Sequence, residues 1–260
     1  MKSRLKLAGL VLVSSLDAVA LSAESVAVRY AEGVVRGFLV LRAPDGSVIA
    51  NGDSIQFARA GRVTNRLVFH FRDGSLQDET AVFTQRKQFQ LVSDHLIQRG
   101  PSFPHPMEMS IDAASGRVTV RHRDGEKEQV TEEQMDLPPD LANGIVSTLV
   151  KNLAPDAVSL TVPMVVASPK PRLVKLLITR AGVERLSAGR NAYKVTRHNV
   201  KIEIGGIAGV VAPLLGKQPK DASVWIVRSD APGFVASESQ FYQDAPLWRI
   251  ELAAPNFRRN

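Results

Sequence analysis

Apolar and polar residues alternate along most of this chain. Val63, Leu67, Phe69 and Phe71 share one parity, against Arg62, Arg66 and Arg72. Phe89 and Leu91 alternate with Gln88 and Gln90, Met107, Met109 and Ile111 with Glu108 and Ser110, and Val118 and Val120 with Arg117, Thr119 and Arg121. A period of two puts successive side chains on opposite faces, so each stretch predicts a strand with one buried and one wet face. Turn dipeptides punctuate the stretches at Asp45-Gly46, Asn51-Gly52, Asp73-Gly74, Ser115-Gly116 and Asp124-Gly125. Their spacing predicts antiparallel hairpins. The fold class expected is mainly β: a strongly curved antiparallel sheet or incomplete barrel with one amphipathic helix packed on it.

The helix is expected over residues 138–153, PPDLANGIVSTLVKNL, where Leu141, Ile145, Leu149 and Leu153 recur at four-residue steps beside Val146 and Val150. Pro138 and Pro139 suit a helix start, where the first N–H groups lack intrahelical partners, and Pro155 suits its end. Further strands follow. Residues 157–167 alternate; residues 171–180, PRLVKLLITR, are nearly continuously apolar and predict a strand covered on both faces. Residues 191–204 change parity, from Tyr193 and Val195 to Val200, Ile202 and Ile204, which predicts a bulge near 197–199. Residues 223–229 and 246–253 predict closing strands, with Trp225 and Trp248 as large packing units. Residues 205–216, GGIAGVVAPLLG, carry no charge. They read as a buried loop, or else as a lid or membrane-meeting tip formed by Ile207, Val210, Val211, Leu214 and Leu215.

The first residues lie outside this pattern. MKSRLK carries three positive charges, LAGLVLVSSL is a short apolar run, and Ala18-Val19-Ala20 and Leu21-Ser22-Ala23 offer small-residue exits. These are the parts of a secretory signal. Residues 1–23 are therefore expected to be a cleaved signal peptide and residues 24–260 a single β-rich domain, periplasmic or secreted. No later stretch approaches the ~18 apolar residues that a transmembrane helix needs, so no transmembrane segment is expected in the mature chain.

A chain of 260 residues with no cysteine has neither disulfides nor thiolate chemistry, and it is long enough to bury a core without them. The net charge is +7 overall and +5 after residue 23, with 30 basic residues against 25 acidic. Bases and acids are interleaved, as in Arg121, Arg123, Asp124, Glu126, Lys127 and Glu128, which reads as a solvated surface and not as a nucleic-acid patch. No nucleic-acid partner is expected.

Candidate chemistry is thin. The five histidines, His70, His95, His105, His122 and His198, include no pair at helical ligand spacing, so no metal or other cofactor is expected. Asp94, His95, Ser102 and His105 lie close in sequence, but no nucleophile elbow accompanies them. Asp78, Glu79, Glu132 and Glu133 could serve as paired acids only if two faced one cleft, and adjacent strand residues do not. Gly205, Gly206 and Gly209 lack the βαβ context of a dinucleotide site. No enzyme is expected.

The order of elements (leader, strand run, one helix, more strands), with Trp225-Ile226, Asp230, Pro232, Val235, Glu238 and a final hairpin ending at Trp248-Arg249-Ile250-Glu251-Leu252, resembles an uncharacterised family of periplasmic β-rich proteins. That family is similar in fold to the lipoprotein-localisation factors, whose incomplete barrel wraps an apolar concavity. The resemblance implies an apolar or lipid-like ligand. The expected lining, from strand parity, is Leu67, Phe69, Phe71, Phe89, Leu91, Met107 and Met109, with the helix or the 205–216 loop gating entry. The alternative is a structural or protein-interaction module of the cell envelope, its concavity filled by side chains and a partner docked on a sheet edge or on that loop.

Overall fold

The computed structural model describes residues 25–124, 127–167, 170–188, 191–205, 218–229 and 231–253. The expected signal peptide and the five lid positions, Ile207, Val210, Val211, Leu214 and Leu215, lie outside the described residues. Fourteen strands are found among the described residues. The first eight are β1 (Val35–Arg42), β2 (Val48–Arg59), β3 (Arg62–Phe71), β4 (Leu76–Gln85), β5 (Phe89–Arg99), β6 (Met107–Asp112), β7 (Arg117–Asp124) and β8 (Lys127–Gln134). After the helix α1 (Val146–Lys151) come β9 (Ser159–Val166), β10 (Arg172–Ala188), β11 (Asn191–Glu203), β12 (Ala222–Val227), β13 (Gly233–Ser239) and β14 (Trp248–Leu252).

All fourteen form one antiparallel sheet, ordered β8-β7-β6-β5-β4-β3-β2-β1-β14-β13-β12-β11-β10-β9. Each half of the chain is a meander, and β1 joins the halves by pairing with β14 through Leu41↔Ile250. The sheet is not closed, because β8 and β9 do not pair with each other. The chain between these two edges crosses the concave side. Leu141, Ala142, Ile145, Leu149, Val150 and Leu153 pack there in a core with inward residues such as Val63 of β3, Phe83 of β4, Ile111 of β6, Ile178 of β10 and Ile226 of β12.

Backbone and amide groups fix this internal segment. The Leu91 N–H donates to the Pro139 carbonyl (3.2 Å) and the Ala142 N–H to the Pro163 carbonyl (2.9 Å). The Asn152 Oδ1 accepts from the N–H groups of Arg29 (2.9 Å) and Tyr30 (2.7 Å), tying in the strap that precedes β1. Glu32 of that strap, also buried, pairs with Lys151 of α1 (2.6 Å) and accepts from the Gln56 Nε2 of β2 (2.8 Å).

Four expectations need correction. The helix spans Val146–Lys151 and not 138–153, since residues 139–145 are irregular and Gly144 adopts a positive φ of 65°. The apolar stripe is nonetheless buried throughout. Asn51-Gly52 lies within β2 and not at a turn, because a Cβ at Gly52 would fall 2.5 Å from the Phe69 ring. β10 is covered on one face only: Val174, Leu176 and Ile178 are buried while Leu173 stays 37% exposed. Finally, β11 pairs with β12 without a register shift from Val195 to Val200. The bulge lies across the ladder in β10, at Arg180–Gly182. Both parities of β11 are apolar because both faces are covered: Val200 faces the main core, whereas Tyr193 and Val195 join Trp225, Val227 and Val235 in a separate cluster.

Candidate functional site

The inward parity of β3, β5 and β6 carries the seven expected lining residues, and they divide between two clusters. Phe69 and Phe71, with Leu67 packed beside them, join Phe103 and Trp248 at one end of the concavity. There Phe71 meets Phe103 edge-on at 5.3 Å between ring centres and Trp248 at 5.4 Å. Phe89, Leu91 and Met109 belong to the main core, with Met107 packed against it. Of the seven, Phe69, Phe71, Phe89, Leu91 and Met109 are buried against the protein's own side chains, including those of the internal segment.

Polar groups also point inward. Gln98 of β5 donates through Nε2 to Gln77 of β4 (2.9 Å) and to the Phe241 carbonyl (2.8 Å). Glu79 and Asp94 face the internal segment where Gly144 passes: a Cβ on Gly144 would lie 3.0 Å from Asp94 Oδ1 and 3.6 Å from Glu79 Oε1. Neither Asp94 oxygen receives a hydrogen bond among the described residues. Burial, and then the neighbouring Glu79, hold the Asp94 carboxyl well above its usual range. Burial pushes Glu79 up to about 7. At the strap end, the buried His198 imidazole is pushed down to about 4, mainly by desolvation and then by Arg228 and Arg180.

The other sequence candidates are scattered. Asp78 points outward to an ion pair with Arg66 (2.5 Å), away from Glu79 on the opposite face. His95 pairs with Glu108 (2.9 Å). Ser102 donates through Oγ to Asp73 Oδ2 (2.7 Å), so Asp94, His95 and Ser102 form no relay. Glu132 and Glu133 lie on the edge strand β8. No group of three or more metal-ligating side chains is found among the described residues.

Two depressions mark the outer face. One, of about 380 Å³, is lined by residues including Asp112, Arg117, Arg121, Val130 and Glu132 of β6–β8, a mixture of both charges. The other, of about 420 Å³, has Arg59, Arg62 and Arg86 around Phe57, with Thr64, Thr84 and the Ala60–Gly61 turn completing it, and no carboxylate in its lining. Arg59 and Arg62 are direct cross-strand partners. Sequence reading missed this cluster. The available signal was Arg59-Ala60-Gly61-Arg62, since a two-residue turn between two arginines sets them opposite each other.

No family model matches the chain, and no curated protein matches it. Among solved structures it is similar to a β-barrel-like protein of the domain of unknown function DUF1849 from Brucella abortus. The two are 10% identical, with 85% of this chain and 95% of that one covered, at a TM-score of 0.46.

Proposed function

We propose that this is a non-enzymatic, exported protein of the cell envelope that binds through its outer surface, its concavity being occupied by its own chain. The observation that carries this reading is the internal segment. Residues 141–153 fill the space that an apolar ligand would take, and the expected lining residues spend their apolar surface on that segment and on one another. A carrier of acyl chains would hold its ligand by burying methylenes, each worth ~0.8 kcal/mol. To free that surface here, residues 139–153 would have to leave the concave face and break the bonds at Leu91, Val165 and Asn152.

Native mass spectrometry of the mature protein, purified gently from the periplasm, tests this. The expected result is a chain beginning near Glu24 with no bound mass. An extra mass that disappears on organic extraction and proves to be lipid would overturn the reading in favour of the carrier, with Leu67, Phe69, Phe71, Phe89, Leu91, Met107 and Met109 as its lining.

A further inference from the structure

The rim formed by β2, β3 and β4 carries an arrangement that costs the free protein stability. Arg59 and Arg62 face each other directly across the ladder, and like charges so placed repel. Arg86 joins them: its Cγ lies 3.9 Å from the Cβ position of Gly61, inside the turn that links the two. Among the described residues none of the three makes an ion pair, whereas Arg42, Arg66, Arg121 and Arg249 all do. Arg59, Arg62 and Arg86 therefore line an open depression of about 420 Å³ with no carboxylate among its lining residues, and Thr64 and Thr84 complete its wall. Guanidinium donors match phosphate oxygens in geometry as well as charge.

Exposed apolar side chains on the same face bear on the kind of phosphate: Phe57 lines the depression itself, and Phe38 stands farther along the ladder, opposite Asp53. Phe57 is 52% exposed, Phe38 62% and Val34 82%, all on β1–β2 or just before them. Arg36 lies over the Phe38 ring at 5.5 Å. Exposed aromatic and aliphatic side chains interleaved with arginines are what an interfacial protein presents to a bilayer, apolar groups entering the acyl boundary and cations staying with the headgroups.

We propose that the Arg59–Arg62–Arg86 cavity binds the phosphate of an anionic phospholipid, and that Phe57, Phe38 and Val34 seat this rim in the bilayer surface. This rests on the reading that the protein works from its outside.

The test is co-sedimentation of the full mature protein with phosphatidylcholine vesicles, with and without phosphatidylglycerol. Binding is expected only to the anionic vesicles, and it should weaken as salt rises. The R59Q/R62Q variant should bind about thirtyfold more weakly, and Phe57→Ser should also reduce binding. An R99Q/R123Q variant, equal in net charge to R59Q/R62Q, should bind like the parent. Circular dichroism checks that each variant is folded. If the variants at the rim fail to fold, hydrogen–deuterium exchange of the parent replaces them, with protection by anionic vesicles expected at residues 57–64. Equal loss in both arginine pairs would overturn the site in favour of general charge attraction. Saturable binding of inorganic phosphate or of a single-stranded oligonucleotide, without vesicle binding, would overturn the bilayer proposal. Lipid retained by R59Q/R62Q after purification would instead sink the reading that the concavity is filled by the protein's own chain.

Discussion

Asn143 holds Val165 through both ends of its side-chain amide. Its Nδ2 donates to the Val165 carbonyl and its Oδ1 accepts from the Val165 N–H, each at 2.9 Å and each buried. Val165 lies on β9, one of the two strands left at an edge of the open sheet. An edge strand exposes unpaired backbone groups that invite pairing with another chain. Here a side chain replaces the missing neighbour, and it does so from the segment that fills the concavity. Asn143→Ala leaves a buried donor and a buried acceptor without partners, at ~1–3 kcal/mol each. A loss of about 2–6 kcal/mol is expected in urea unfolding. A loss below ~0.5 kcal/mol would mean that water reaches β9 and that the segment is not seated there.

The inward carboxyls and the buried imidazole set opposing pH dependences. Glu79 and Asp94 have folded pKa values raised above their ordinary ones, so the folded state holds their protons more tightly. Their stabilising contribution is complete below the ordinary carboxylate range and is lost as pH rises, for Glu79 through about 7. His198 has its pKa lowered to about 4, so its contribution is complete above 6.5 and is lost as pH falls toward 4. Asp94→Asn keeps the shape and removes the charge. It is expected to raise the urea midpoint at pH 8 and to change it little at pH 4. His198→Gln should do the reverse, gaining at pH 4 relative to the parent and not at pH 8. Parallel pH profiles for parent and variants would show that these groups are hydrated in the folded protein.

Much of this architecture is legible in the sequence, and the exceptions have definite causes. Period-two alternation marks β6 and β7 because each has one covered face. Asn-Gly is the strongest short hairpin signal, yet at Asn51-Gly52 packing overrides it. Ala50 and Gly52 stand opposite Phe71 and Phe69, small residues making room for large ones across one ladder. The four-residue spacing of Leu141, Ile145, Leu149 and Leu153 marks a buried stripe, but Gly144 at positive φ and the hydrogen-bonding demand of β9 leave only Val146–Lys151 helical. The arginine rim was written in Arg59-Ala60-Gly61-Arg62, but Ala-Gly is a weaker turn signal than Asn-Gly or Asp-Gly and so did not mark the hairpin.

The Glu32–Lys151 pair ties the strap to α1 across the concavity, with its side chains 4% and 18% exposed. Breaking a buried pair from one side strands the other charge. Lys151→Met should cost about 3–5 kcal/mol while Glu32 remains. Adding Glu32→Gln should recover a large share of this, because the Gln56 contact can be kept without the stranded carboxylate. The double-mutant cycle in urea measures the coupling. Additive losses would place both side chains in solvent.

Ala60 and Gly61 join Arg59 to Arg62 with φ values of 51° and 74°, two consecutive left-handed residues in a hairpin turn. Such a turn matches the right-handed twist of its strands and favours asparagine or glycine at its first position. Alanine has no side chain that bonds locally to offset the clash of its Cβ. Ala60→Asn should therefore stabilise the protein by about 0.5–1 kcal/mol, read as a higher urea midpoint at unchanged slope. Ala60→Val should destabilise it, since a β-branched residue is still less tolerant of positive φ. The contrast matters for the rim as well, because the left-handed turn is what aligns Arg59 with Arg62. If asparagine and valine shifted the midpoint equally, the turn would be relaxed in solution, and the two arginines would be free to separate.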